Sequence, residues 1–258
     1  MSTQSSVATP RRGSVLHRFA NPGQFLRLSE KVLPWLYVIG TVLTAIGVIW
    51  GLFYAPNDWQ QGDTVRIMYV HVPFAWLASA GYMALAICSL FSLIWRHPLA
   101  DLAAVEIGPV GAGFTAVCLA TGSLWGEPTW GTWWVWDARL TSVFVLLLLY
   151  LGHIALVRAF DDPTRGYRAG AILALVGVIN LPIIKFSVDW WNTLHQPDTF
   201  GLTGAPSIAP SMLWPLVFTT LGFTLLFAAI TIARTRAAVM ERRIRMLLMA
   251  KSLQESEA

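Results

Sequence analysis

Thr141-Ser-Val-Phe-Val-Leu-Leu-Leu-Leu-Tyr150-Leu-Gly-His153-Ile-Ala-Leu-Val-Arg158-Ala-Phe160 decides the class of fold. It carries no full charge before Arg158. At about 1.5 Å per helical residue it can cross the roughly 30 Å of hydrocarbon in a bilayer. Inside hydrocarbon every backbone N–H and C=O needs a partner from the protein, which restricts a crossing to a helix or a closed barrel. Barrel strands alternate apolar and polar residues over about ten positions, and this run does not alternate. It reads as a transmembrane helix.

Five more runs of this kind flank it, at approximately Leu33–Phe53, Val70–Ile94, Leu102–Leu124, Ala169–Phe186 and Ser211–Ala233. Composition agrees. Of 258 residues, 55% are apolar and 12% charged, about half the charge of an ordinary soluble domain, and the mean hydropathy is +0.57. The expected fold class is an all-α membrane protein, a bundle of six transmembrane helices.

Basic residues orient the bundle. With six spans both termini share one side, and fifteen of the eighteen Lys and Arg fall on that side, in the two tails and the second and fourth loops. The other side has only Arg66, Arg139 and Lys185. Positive charge accumulates on the cytoplasmic face, so both termini are expected in the cytoplasm. The pI of 9.3 is then a matter of topology, and nucleic acid is not an expected partner.

Three regions follow. Residues 1–30 read as a flexible basic N-terminal tail without a cleavable signal, residues 31–233 as the membrane domain, and residues 234–258 as a basic amphipathic tail. In that last segment Met240, Ile244, Leu247 and Leu248 recur at helical spacing, with Arg242, Arg243 and Arg245 largely on other faces. A helix resting on anionic membrane lipid, or a dock for a partner, would both look like this. Cys88 and Cys118 lie in apolar runs with no CxxC and read as small buried hydrophobes.

The chemistry concentrates in the outer loops. Residues 125–139 read Trp125-Gly-Glu-Pro-Thr-Trp130-Gly-Thr-Trp133-Trp134-Val-Trp136-Asp137-Ala-Arg139, with five tryptophans in twelve residues. Trp35, Trp50, Trp95 and Trp214 each mark one helix end, as an interfacial aromatic belt would. Five indoles in one loop, with Trp190 and Trp191 in the next, exceed what a belt requires. Pro128 suits the first turn of a helix. From it the spacing predicts a short helix at the membrane surface with Trp130, Trp133, Trp134 and Asp137 on one face. That face would be an aromatic shelf able to bury a large flat ligand.

Arg139 adds a fork suited to carboxylates. Asp137 has three open roles: an acid at the shelf's end, a partner of Arg139, or a cap for the fourth span. Flat, apolar and carboxylate-bearing describes haem. His71 (in Met68-Tyr-Val-His71-Val-Pro73) and His195 (in Trp190-Trp-Asn-Thr-Leu-His195-Gln-Pro197) lie on the tryptophan side, where two neutral imidazoles could hold the iron from opposite faces. His17 and His97 fall on the cytoplasmic side. His153, inside the fourth span, is expected to bond within the bundle.

Trp130-Gly-Thr-Trp-Trp-Val-Trp-Asp137, with Ala138-Arg-Leu-Thr-Ser142, resembles the WWD motif of the haem-handling proteins of cytochrome c maturation. Tyr69-Val-His71-Val-Pro73, Asn180-Leu-Pro and Trp190-Trp-Asn-Thr-Leu-His195-Gln are similar to further motifs of that group. Six spans and this length look like the CcmC family rather than the larger CcmF or the CcsA type. The resemblance implies haem b as cofactor, with His71 and His195 as axial ligands. It implies that Trp125, Trp130, Trp133, Trp134, Trp136, Asp137, Arg139, Trp190 and Trp191 form its binding surface. It further implies a bacterial inner membrane with the site on the periplasmic side, and delivery of haem to the chaperone CcmE. The ABC-type pair CcmA and CcmB and the small CcmD are the other implied partners. The chain would be a transfer platform rather than an enzyme. A cytochrome b-like electron carrier, or a haem-free scaffold or small-solute transporter, are the alternatives.

Overall fold

The computed structural model describes residues 21–195 and 208–257. The tail before residue 21 and the part of the third outer loop between residues 195 and 208 lie outside the described residues. Among the described residues there are seven α-helices: α1 (Pro22–Ile49), α2 (Met68–Trp95), α3 (Pro98–Trp130), α4 (Ala138–Arg158), α5 (Pro163–Gly177), α6 (Asn180–Trp190) and α7 (Pro210–Glu257). They make six helical segments long and apolar enough to cross a membrane, α5 and α6 together forming the fifth. The expected all-α bundle of six spans is what the chain adopts.

Local chemistry explains where the helices begin. Asn21, His97 and Asp162 accept the early N–H groups of α1, α3 and α5, and a proline follows each cap. Such a cap satisfies one orphan donor, and proline at the first position gives up a donor that had no partner. A π-turn, Trp50–Tyr54, ends α1, and a 3₁₀ turn, Asp63–Ile67, leads into α2.

The spans differ from the sequence expectation in two places. The fifth is interrupted at Val178 and Ile179, where the N–H groups of both reach back three residues instead of four. Asn180 opens α6 and donates from its side chain to the carbonyl of Ser142 in α4 at 2.8 Å, so the break is tied to a neighbour. The sixth runs on without interruption as the 48-residue α7, and Arg236 in it donates to the carbonyl of Leu26 and the hydroxyl of Ser29 in α1.

α1 lies along α7, α2 along α3, and α4 joins α3 to α5. The α1–α7 approach is close: a Cβ on Gly47 would lie 2.6 Å from the backbone N of Thr219, and one on Gly222 would lie 2.5 Å from that of Thr44. Small residues of this kind let membrane helices meet where burial out of water offers no drive. The main core joins Leu77, Tyr82 and Leu85 of α2 to Ile107 of α3, Tyr150 of α4 and Phe227 of α7. A second cluster, with Ala55, Val65, Met68, Tyr69, Met212 and Leu216, sits at the other end from the chain termini, beneath the first connecting loop.

Candidate haem site at the end opposite the termini

The start of α2, the end of α3, the start of α4 and the end of α6 meet at this end of the bundle. His71 occupies the first turn of α2 and is 8% exposed. Its Nδ1 lies 3.1 Å from the Cys118 carbonyl and 3.1 Å from the Thr121 hydroxyl oxygen, both on α3. The Thr121 hydroxyl itself donates to the carbonyl of Val117 at 2.8 Å. Both oxygens facing Nδ1 are therefore acceptors, Nδ1 carries the proton, and the lone pair of the ring sits on Nε2. A backbone carbonyl fixing one ring nitrogen so that the other can ligate is the usual outer support of a metal-bound histidine.

Trp125 meets His71 edge on, with ring centroids 5.7 Å apart at 78°. Five residues later on α3, Trp130 approaches His195, at 6.2 Å between centroids. The end of α3 thus carries one indole for each imidazole. His71 and His195 are also near enough to interact electrostatically. Two histidines 124 positions apart in sequence have been brought to one place.

Arg139 is the fastener of this end. Its Nε donates to the Ser187 hydroxyl at 3.1 Å, Nη2 to the Lys185 carbonyl at 3.2 Å, and Nη1 faces Nδ1 of His195 at 3.4 Å. The guanidinium and the His195 imidazole thus lie side by side.

The expected surface helix from Pro128 to Asp137 is absent. α3 instead continues through Pro128 to Trp130 and stops at Gly131, whose φ of 74° and ψ of 14° place it in the left-handed region that glycine adopts without strain. After a bend at residues 131–133 the chain is irregular up to Asp137. Asp137 accepts the Leu140 N–H at 2.8 Å and caps α4, one of the roles open to it. Its Oδ2, like Nε1 of Trp134, is buried with no hydrogen-bond partner in the protein.

Because the loop is not a helix, its tryptophans split into two banks. Trp125 and Trp130 go with the histidines. Trp134 and Trp136 pack on one another at 5.3 Å and both lean on Phe144 of α4. Trp190 stacks on Phe186 and meets Trp191. Trp136, Asp137 and Trp191 border a groove of about 380 Å³ that runs between α4 and α6 past Ser142 and Asn180. Trp133 and Trp136 are 57% and 72% exposed.

Three contributors to the site carried little signal in the sequence: Thr121, Ser187 and Gln61, which accepts the Trp125 indole N–H at 2.9 Å. Thr121-Gly-Ser123, small and polar within an apolar run, was the one available hint. His153 lies elsewhere, sealed between helices with its Nδ1 3.0 Å from the Gly170 carbonyl, as expected of a bundle histidine. His97 serves as the cap of α3.

The chain also matches known proteins. Residues 15–250 match the CcmC family, described as Heme exporter protein C. The chain is 54% identical to the Heme exporter protein C of Bradyrhizobium diazoefficiens, over 90% of this chain and 88% of that protein. It is 47% identical to the one of Escherichia coli K12, over 88% and 93%, and 40% identical to the one of Paracoccus denitrificans, over 89% and 95%. With two histidines, their indoles and the WWD segment gathered at one end of six membrane-spanning helices, the chain belongs to the CcmC family of haem exporter proteins.

Proposed function

We propose that this chain holds haem b at the periplasmic end of its bundle, in a bacterial inner membrane, and hands it to the chaperone CcmE, working beside CcmA, CcmB and CcmD. The observation that carries the reading is the state of His71, with Nδ1–H bound to a backbone carbonyl and Nε2 left with its lone pair, close to a second imidazole. Among the described residues no three His, Cys, Asp or Glu side chains gather. A bare metal ion would find too few ligands here, whereas a metal already held in a porphyrin needs only axial ones.

The residues present suit haem. His71 and His195 would supply the axial imidazoles, and Arg139, whose guanidinium bonds Ser187 and Lys185 beside His195, would exchange one of these partners for a carboxylate. Trp125 and Trp130 wall the histidines. The exposed Trp133 and Trp136, with Trp134, Trp190 and Trp191, would cover the ring and present its edge to the chaperone. Asp137 holds the entry to α4 in place beneath them. Haem supplies the reactivity for its own attachment to the partner; this chain supplies orientation, which can account for much of a barrier reduction. Fifteen cations on the termini side support the cytoplasmic placement of both tails.

The test is an absorption spectrum of wild type and of the His71→Ala/His195→Ala double variant purified with their haem. Loss of bound haem, or of its low-spin spectrum, is the expected result. Equal haem and identical spectra would end the axial-ligand assignment. CcmE loading by a Trp133→Ala/Trp134→Ala variant tests the aromatic cover, and loading at the wild-type rate would refute it.

A further inference from the structure

We propose that Gln61, in the first outer loop, is a positioning residue for His71 and acts through Trp125. The inference rests on His71 being an axial ligand. Trp125 has one polar atom, Nε1, and it donates to Oε1 of Gln61 at 2.9 Å across 64 positions of sequence. A half-buried indole N–H needs such a partner.

The loop that presents Gln61 is built without using its side chain. Asp58 accepts the N–H groups of Gln60 and Gln61 at 2.9 and 2.8 Å. Asp58 and Gly62 exchange both backbone bonds, at 3.2 and 2.9 Å, and the turn closes at Gly62 with φ of 58°. The carbonyl of Gln61 accepts the Thr64 hydroxyl at 2.7 Å. Both main-chain groups of Gln61 are thus committed to the turn, while the amide side chain reaches across to α3. Beneath it, the buried cluster of Val65, Met68, Tyr69, Met212 and Leu216 packs against Trp125. Trp125 is held by apolar contact below and by a hydrogen bond at its rim.

What Trp125 then does is set the plane of the His71 ring. Four contacts limit that ring: those of Nδ1 with the Cys118 carbonyl and the Thr121 hydroxyl oxygen, the α3 backbone at Gly122, and the edge-on Trp125 ring. At Gly122 a Cβ would come within 3.0 Å of His71 Cε1, so the imidazole fills the space a side chain would take. The Nδ1 bond alone leaves rotation about its own axis. Trp125 removes it, and Gln61 keeps Trp125 from turning.

The test uses the full-length, haem-loaded protein in lipid nanodiscs. Four proteins are compared with wild type: Gln61→Met, which keeps the shape and loses the acceptor; Gln61→Glu, which keeps an acceptor; Trp125→Phe; and Gln61→Met in the Trp125→Phe background. Added imidazole is titrated against the bound haem, and the ferric low-spin resonance, which responds to the planes of the axial rings, is recorded at low temperature. Gln61→Met should need about fivefold less imidazole for displacement, the scale of one neutral hydrogen bond, and should shift the resonance. Gln61→Glu should restore both readouts. In the Trp125→Phe background the Gln61 change should add nothing, because the pair acts as one unit.

Unchanged titration and resonance in Gln61→Met would overturn the inference. So would an equal effect in the Trp125→Phe background, which would mean that Gln61 acts by another route. A His71→Ala protein run in parallel separates the two levels. Were its spectrum the same as wild type, the ligand assignment itself would fall. Were it changed while Gln61→Met stays silent, only the positioning role would.

Discussion

His71 and His195 are chemically alike, yet the molecule treats them as opposites. His71 grows from the first turn of a helix, is buried, and has its Nδ1 proton committed to the backbone of α3. His195 sits at the end of an irregular stretch beyond α6, with its ring beside Arg139. One is fixed between rigid helices, as the proposed ligand role would require. The other is held by a cation that would also attract a carboxylate. The difference teaches that a two-histidine site need not be symmetrical: one arm can be built as a fixed post and the other as a clasp.

Replacing each imidazole in turn is the harshest way to break this contrast. His71→Gly opens a buried niche walled by Trp125 and α3, whereas His195→Gly opens a loop. We expect both to lose native ligation, and free imidazole to restore a low-spin spectrum in His195→Gly at about tenfold lower concentration, since an open site needs less reorganisation to fill. Absorption titration measures it, and equal rescue at both positions would erase the distinction.

Gly122→Ala attacks the post without replacing a ligand. Its Cβ would press on His71 Cε1 at 3.0 Å, and overpacking of this sort costs about 1–3 kcal/mol. Lower thermal stability in detergent and an altered haem spectrum are expected together. Gly113→Ala on the same helix, where a Cβ meets nothing within 4 Å, serves as the neutral comparison.

A milder effect is expected from Asp137→Ala, which removes the cap of α4 next to the clasp and should cost about 1 kcal/mol, with Asp137→Asn retaining most of it. Thermal unfolding of the two variants is the check. The smallest change belongs to Ser187→Ala. It takes one acceptor from Arg139, worth about 0.5 kcal/mol, and should leave the His71 ring untouched. A resonance shift in that variant would show the two arms to be coupled.

The fold was largely legible in the residues. A run such as residues 141–160 has one stable solution in hydrocarbon, so six spans could be counted from hydropathy alone. The break in the fifth was not legible, because it depends on Asn180 finding the Ser142 carbonyl on another helix. His71, His195 and the tryptophans stood out by residue type and side of the membrane. Their grouping did not. Helical spacing placed Trp130, Trp133, Trp134 and Asp137 on one face, but Gly131 ends the helix and Asp137 starts the next one.

By itself, then, the order of residues determined the membrane, the number of crossings and the types of side chain available at one end, because solvation and helix periodicity are local properties. Which indole walls which imidazole, which groups face each histidine, and that Gln61 meets Trp125 at all were decided only by tertiary structure. Those facts depend on hydrogen bonds and ring contacts between segments about fifty or more positions apart, and no local pattern encodes a distance of that kind.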